Sequence, residues 1–417
     1  MSAPADPSPG AGWVYADNNA TTALAPEALA AMDPFLRGSY FNPSSMYRPA
    51  ADVAVAIRAA RAQIAALLGA EDPRTILLTS CATESNNAAI HGAARARPER
   101  RHIVTSAVEH PAVLEVCREM ERSGYEVSWL PVDSAGRIAM ADYVRALRND
   151  TLLVTLMHAN NESGVIFPIA EYARIAKETN PDILFHTDAT QTAGKIPLDL
   201  SGELRHVDFL SLSGHKLHGP KGVGALYLRR GAAWRPWMLG GHQENGRRAG
   251  TENVPGIIGL GAACELAART LPEEARIAAW RDRLERELSA RIPWITVNGA
   301  GADRLPNTLN LSCHFIEGES ILYQLDEARI CASSGSACTS GSLEPSHVLR
   351  AMQVPFTAIH GSVRFSFSRY STEADVERII AVFPDIVTRL RRLSPYWDSA
   401  SHAPRPHALE MAAARKA

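Results

Sequence analysis

Between residues 75 and 230, short apolar runs alternate with longer intervals that can hold helices. The runs are TILLTS (75–80), HIVTSAVEH (102–110), LLVTLMHANNE (152–162), ILFHTDATQ (183–191), VDFLSLSGHK (207–216) and GALYLRR (224–230). The intervals include residues 112–124 and IAEYARIAKET (169–179). Ahead of the first run, VAVAIRAARAQIAALLG (53–69) keeps apolar residues at three- and four-residue spacing until Gly69 ends it. Such alternation predicts an α/β domain built on a largely parallel sheet.

Residues 271 to about 393 follow another pattern. A charged amphipathic helix, EEARIAAWRDRLERELSARI (273–292), leads into shorter strands and further helices. The expected organisation is a loose arm over residues 1–12 and a large domain over 13–270. A smaller α+β domain over 271–395 follows, then a disordered tail over 396–417.

Composition narrows the partners. The chain has 417 residues, 46% of them hydrophobic, and a formal net charge of -2. No global field recruits nucleic acid or an anionic membrane. The first basic residue is Arg37, which disfavours a secretory or transit signal. No apolar run approaches the ~20 residues of a membrane span. Six cysteines without a CxxC pair suggest reduced thiols in a cytoplasm.

Five apolar runs end in polar groups: CATES (81–85), EH (109–110), NNE (160–162), TDATQ (187–191) and SGHK (213–216). Ligands of open α/β sheets sit beyond the carboxyl ends of strands, so one shared pocket is expected. CATESNNAAIHGAA (81–94) turns from a strand into a helix, and a helix N-terminus suits a phosphate. Thr83 can add a hydroxyl there or simply cap the helix. No GxGxxG follows a first strand and no GxxxxGK[ST] is present, which disfavours dinucleotides and nucleoside triphosphates.

Asp188 ends an apolar run, where a carboxylate needs a cationic partner; a protonated pyridine nitrogen would serve. Lys216, 28 residues on, can lose its charge by desolvation and form a Schiff base. Lys221 is a rival amine that position alone barely separates from it. Aspartate, lysine and a phosphate cradle together describe pyridoxal 5′-phosphate. His110, followed by Pro111 at a helix start, can stack on a planar ring or move protons. In VRFSFSRY (363–370), Val363, Phe365 and Phe367 share one face and Arg364 the other. Arg364 can grip a substrate carboxylate or form a rim salt bridge. Finally, ASSGSACTSGS (332–342) sets Cys338 among ten Ser, Gly, Ala and Thr residues, a setting with nothing apolar to pack a thiol.

The motifs SGHKLHGPKGVG (213–224), HTDATQTAGK (186–195), GHQENGRRAGTEN (241–253) and SSGSACTSGSLEPSHVLRAM (333–352) resemble the pyridoxal-phosphate cysteine desulfurases of aminotransferase class V. The likeness runs from YADNNATT (15–22) to SPYW (394–397), and its details look most like the nitrogen-fixation branch, NifS. The resemblance implies a type I pyridoxal-phosphate transferase fold and a cytoplasmic homodimer that converts L-cysteine to L-alanine. It assigns the Schiff base to Lys216, the pyridine nitrogen to Asp188, the ring oxygen to Gln191 and ring stacking to His110. Asn161 would contact ring and substrate. Ala82, Thr83, Ser213 and His215 would hold the phosphate, with Thr251 from the other subunit. Arg364 would anchor the substrate carboxylate.

Cys338 would then take the sulfur as a persulfide and pass it to a NifU-like iron–sulfur scaffold. A Gly/Ser segment lets a thiol serve both places. No metal is expected on this chain alone, beyond a transient iron–sulfur contact at Cys338 shared with the scaffold. Cys331 is a candidate auxiliary thiol. Cys81 stands where the family loop carries glycine, which puts that loop's geometry in question. The competing readings are another class V enzyme, such as an aminotransferase or selenocysteine lyase, and a non-enzymatic sulfur carrier.

Overall fold

The computed structural model describes residue 10, residues 12–334 and residues 345–413. The first strand, β1 (Val14–Tyr15), precedes a long helical stretch. Then follow β2 (Ile76–Thr79), β3 (His102–Ser106), β4 (Glu126–Leu130), β5 (Thr151–Met157), β6 (Leu184–Asp188), β7 (Phe209–Ser213) and β8 (Gly224–Leu228). These seven form one sheet in the order β2-β8-β7-β6-β5-β3-β4. Only β8 runs against its neighbours; the remaining pairs are parallel. The carboxyl ends of β2, β3, β4, β5, β6 and β7 therefore lie along one edge. Every residue of β5, β6, β7 and β8 is buried, because helices cover both faces of such a sheet.

Helices Arg48–Leu67 and Val254–Thr270 close one face. They meet where side chains are smallest: a Cβ on Gly261 would stand 2.6 Å from Ala60 Cα. The stretch 254–291 is long and apolar enough to cross a bilayer by length and composition, contrary to the sequence expectation. Its apolar window is 61% buried inside the protein, as a core helix is.

The C-terminal unit is built on β9 (Ile295–Val297), β10 (Thr308–Cys313), β11 (Ile330–Cys331) and β12 (Ser362–Ser366). Antiparallel β12-β10-β9 is one sheet, and β1 pairs with β11 in parallel. Helices Glu274–Arg291, Gly318–Glu327 and Glu373–Leu393 cover it. The boundaries differ from simple sequence blocks. Val14 and Ala16 pack in the C-terminal core, because β1 needs the edge of β11. Val348, Leu349, Met352 and Ile359 pack in the core of the large unit instead.

The expected loose tail is a further correction. β13 (Trp397–Asp398) pairs with β14 (Ala403–Pro404), and a helix follows at Pro406–Ala413. Trp397 and Ala408 are buried against Phe315, and Arg391 stacks over the Trp397 ring at 4.7 Å. A single indole of this size carries enough apolar surface to hold a short segment down.

Candidate active site

A cavity of about 590 Å³ opens at the shared edge of strand ends. His110 follows β3, Asn161 follows β5, Asp188 ends β6, Ser213 ends β7, and His215 and Lys216 lie in the single 3-10 turn Gly214–Lys216 after it; all line it, with Gln191. Ala82 and Thr83 enter from the first turn of helix Ala82–Ala96, and Arg364 from β12. Lys221 is exposed and is not among the lining residues. Thr251 is exposed as well, outside the cavity of its own chain. Cys338 lies outside the described residues.

Lys216 Nζ donates to the carbonyls of Asn19 at 2.6 Å and Ala20 at 2.7 Å. The segment YADNNATT thus holds the amine from across the cavity. Asp188 is 6% exposed. Its Oδ2 accepts from Asn86 Nδ2 at 2.7 Å and its Oδ1 from the Thr190 N–H at 2.9 Å. Both bonds fix the carboxylate while leaving acceptor capacity on each oxygen.

His110 caps helix Pro111–Arg122: its Nδ1 accepts from the Ala112 N–H at 3.1 Å. The neutral ring therefore carries its proton on Nε2, and burial pushes its pKa below the ordinary histidine value. His215 is pushed down to about 4, by burial first and then by Lys216 and Lys221.

Cys81, not Thr83, is the N-cap of helix Ala82–Ala96, and it makes no side-chain cap bond. The backbone at Cys81 is extended, φ −176° and ψ 173°, so this position does not need glycine's freedom. Ser213 Oγ and Thr190 Oγ1 are buried without hydrogen-bond partners. A buried polar atom left unpaired is costly. An orphaned hydroxyl beside an uncapped helix N-terminus fits a bound phosphate ester, and the buried Asp188 carboxylate fits a protonated ring nitrogen. The residues present fit pyridoxal phosphate.

Arg364 is 2% exposed and no rim salt bridge. Its Nη2 donates to Asp17 Oδ1 at 2.8 Å and its Nη1 to the Asn161 carbonyl at 2.9 Å. Its Nε is buried without a partner, a donor left over for an incoming acceptor. Sequence reasoning gave no role to several lining residues: Asn19, Asn86, Glu162, Ser346 and His347. All five stood inside quoted motifs, yet nothing local marked them. Cys331 is a weak candidate nucleophile, because burial first and then Asp17 and Asp326 push its thiol pKa up. Among the described residues no three His, Cys, Asp or Glu side chains converge for a metal ion.

The family pattern of class-V aminotransferases matches residues 14–379. A cysteine desulfurase of Gluconacetobacter diazotrophicus is 55% identical over 394 residues, 94% of this chain and 97% of that protein. The cysteine desulfurase NifS of Azotobacter vinelandii is 52% identical over 385 residues, 92% of this chain and 95% of that protein. A solved NifS-like protein superposes with a TM-score of 0.85 at 38% identity, over 91% of this chain and all of that one. The chain belongs to the class-V aminotransferase family, with the type I pyridoxal-phosphate fold, and is a pyridoxal-phosphate-dependent cysteine desulfurase.

Proposed function

We propose that the chain takes sulfur from L-cysteine onto Cys338, releases L-alanine, and hands the sulfur to a NifU-like scaffold for iron–sulfur clusters serving nitrogenase. The observation that carries this reading is the convergence of Lys216, Asp188, Gln191, His110 and Arg364 on one cavity. Bound pyridoxal phosphate supplies an electron sink that weakens bonds at the substrate's α- and β-carbons.

The protein's part is holding and proton traffic. Lys216 tethers the cofactor and takes the α-proton; Asp188 keeps the ring nitrogen protonated; Ala82, Thr83, Ser213 and His215 cradle the phosphate. Neutral His110 covers the ring, and Asn161 and Arg364 orient the substrate. The Cys338 thiolate attacks the substrate sulfur, whose bond to carbon breaks. One thiol and L-cysteine become one persulfide and L-alanine, with no outside oxidant. Thr251 reaches a second copy's phosphate in a homodimer. Its segment is fastened by Arg248 to Glu84 at 2.8 Å and by Glu244 to Arg61 at 2.5 Å. A cytoplasmic setting belongs to this reading, supported by five free cysteines among the described residues.

The test is mass spectrometry of the protein after exposure to L-cysteine, with alanine measured alongside. One added sulfur on the peptide carrying Cys338 is expected. Cys338→Ser should keep the cofactor's visible band and lose sulfur transfer; Lys216→Ala should lose the band. Sulfur on another cysteine, or persulfide formation by Lys216→Ala, overturns the reading.

A further inference from the structure

Lys195 is a buried cation to which the reaction gives no task. It is 9% exposed, in the turn that follows Gln191, and burying an ammonium is costly unless a specific partner compensates. Its Nζ donates to Gln191 Oε1 at 2.9 Å. On its other side, Glu274 and Arg369 line a cavity of about 20 Å³ with Lys195, Lys216 and His218. Glu274 Oε2 and Arg369 Nη1 are buried there without partners, in a space that suits a single water.

The direction of the bond to Gln191 carries the argument. An ammonium has donors and no acceptor, so Gln191 must turn its carbonyl oxygen towards Lys195. Its Nε2 then faces the other way and donates to the Asn19 carbonyl at 3.1 Å. That carbonyl also takes the bond from Lys216 Nζ at 2.6 Å. One N–H of Gln191 remains, and Gln191 lines the large cavity. Without a donor-only neighbour, the two ends of an amide are nearly interchangeable in shape. Burial drives Lys195 towards neutrality and Glu274 opposes it, while Lys216 and Arg364 add to the drive. Glu274 therefore helps to keep the proton on the amine.

We infer that Lys195 is a positioning residue, which locks the Gln191 amide with its N–H towards the cofactor. This rests on the proposed placement of Gln191 beside the cofactor's ring oxygen. The readout is the visible band of the loaded enzyme, titrated with pH in the absence of L-cysteine. A donor to an ionised oxygen lowers that oxygen's pKa. Gln191→Ala should raise the midpoint by about one to two pH units, the size of one hydrogen bond to a charged group.

Lys195→Met should move the midpoint in the same direction and add nothing when combined with Gln191→Ala. Lys195→Arg, again donor-only, should bring it back towards the parental value. Should Lys195→Met fail to fold, Lys195→Gln, whose amide can turn either way, carries the same outcomes. If Gln191→Ala leaves the midpoint in place, the placement of Gln191 falls and the inference with it. If Gln191→Ala moves it while the Lys195 variant does not, or the two shifts add in full, the inference about Lys195 alone is overturned.

Discussion

Asp17 and Arg364, 347 residues apart in the chain, share a hydrogen-bonded ion pair of 2.8 Å, and Arg364 lines the cavity. The other oxygen of Asp17 accepts from the Ser333 hydroxyl at 2.9 Å. One carboxylate thus joins the guanidinium assigned to the substrate to the end of the chain that leads into residues 335–344. Removing it should release Arg364 from its pose while leaving the cation in place. A charged hydrogen bond is worth about 1.5–3 kcal/mol, so Asp17→Ala should raise KM for L-cysteine roughly tenfold or more. Asp17→Asn, which still offers an oxygen to Arg364, should do less. Steady-state kinetics with kcat separated from KM decides it; equal losses in the two variants would contradict the pairing argument.

Glu162 gives a dependence on pH whose sign follows from its surroundings. It accepts from Ser346 Oγ at 2.5 Å, and Ser346 in turn caps helix His347–Ala351. Burial pushes the carboxyl up from 4.5 to about 7, against the pull of Ser346 and Arg364. A carboxyl raised in the folded state contributes stability that is whole below its unfolded value and lost as pH climbs through the folded one. The window therefore runs from about 4.5 to about 7. Glu162→Gln cannot ionise. Its melting temperature relative to the parent should rise between pH 5 and pH 8, equivalent to at most about 3 kcal/mol. A constant difference across that range would count against the burial argument.

The cavity was legible in the sequence to the extent that strands announce their own ends. His110, Asn161, Asp188, Gln191, Ser213, His215 and Lys216 each follow an apolar run, and parallel pairing carries those ends to one edge. Asp17 and Asn19 were not legible in this way. Their partners lie 142 to 347 residues away, and no local period encodes a contact made by the meeting of two units. The same reason hides the place of Val14 and Ala16, which complete a core whose other members begin at Ile277. The tail misled for a different reason: its Pro, Ala and Ser content masks the one indole that anchors it.

That indole offers a direct check. Trp397 is 6% exposed and meets Phe315, itself 2% exposed, with ring centroids 6.1 Å apart. Emptying a buried tryptophan site costs about 3 kcal/mol or more. Trp397→Ala should therefore lower the melting temperature by several degrees while leaving kcat within about twofold, because the cluster stands apart from the cavity. A chain ending at residue 395 should behave alike. An unchanged melting curve in both would mean the segment does not pack in solution.

Gly224 ties the fold to the cofactor site most tightly. It opens β8 and pairs with Thr79 on one side and Ser213 on the other, so it sits between the two strands that lead to the proposed phosphate cradle. A Cβ there would stand 2.7 Å from the Leu212 carbonyl oxygen and 2.8 Å from the Cys81 carbonyl carbon. Both are backbone atoms, so no side chain can swing away; the methyl must displace the strand or the start of helix Ala82–Ala96. Overpacking of this kind costs about 1–3 kcal/mol. Gly224→Ala should accordingly lose stability by that amount and bind pyridoxal phosphate roughly tenfold more weakly, because the displaced backbone carries the donors. Gly38→Ala is the matched control: its Cβ would meet nothing closer than 3.8 Å, and both quantities should stay at the parental values. Calorimetry with cofactor titration reads the two effects separately. A Gly224→Ala protein that melts lower yet keeps full cofactor affinity would show that the cradle tolerates movement of β8.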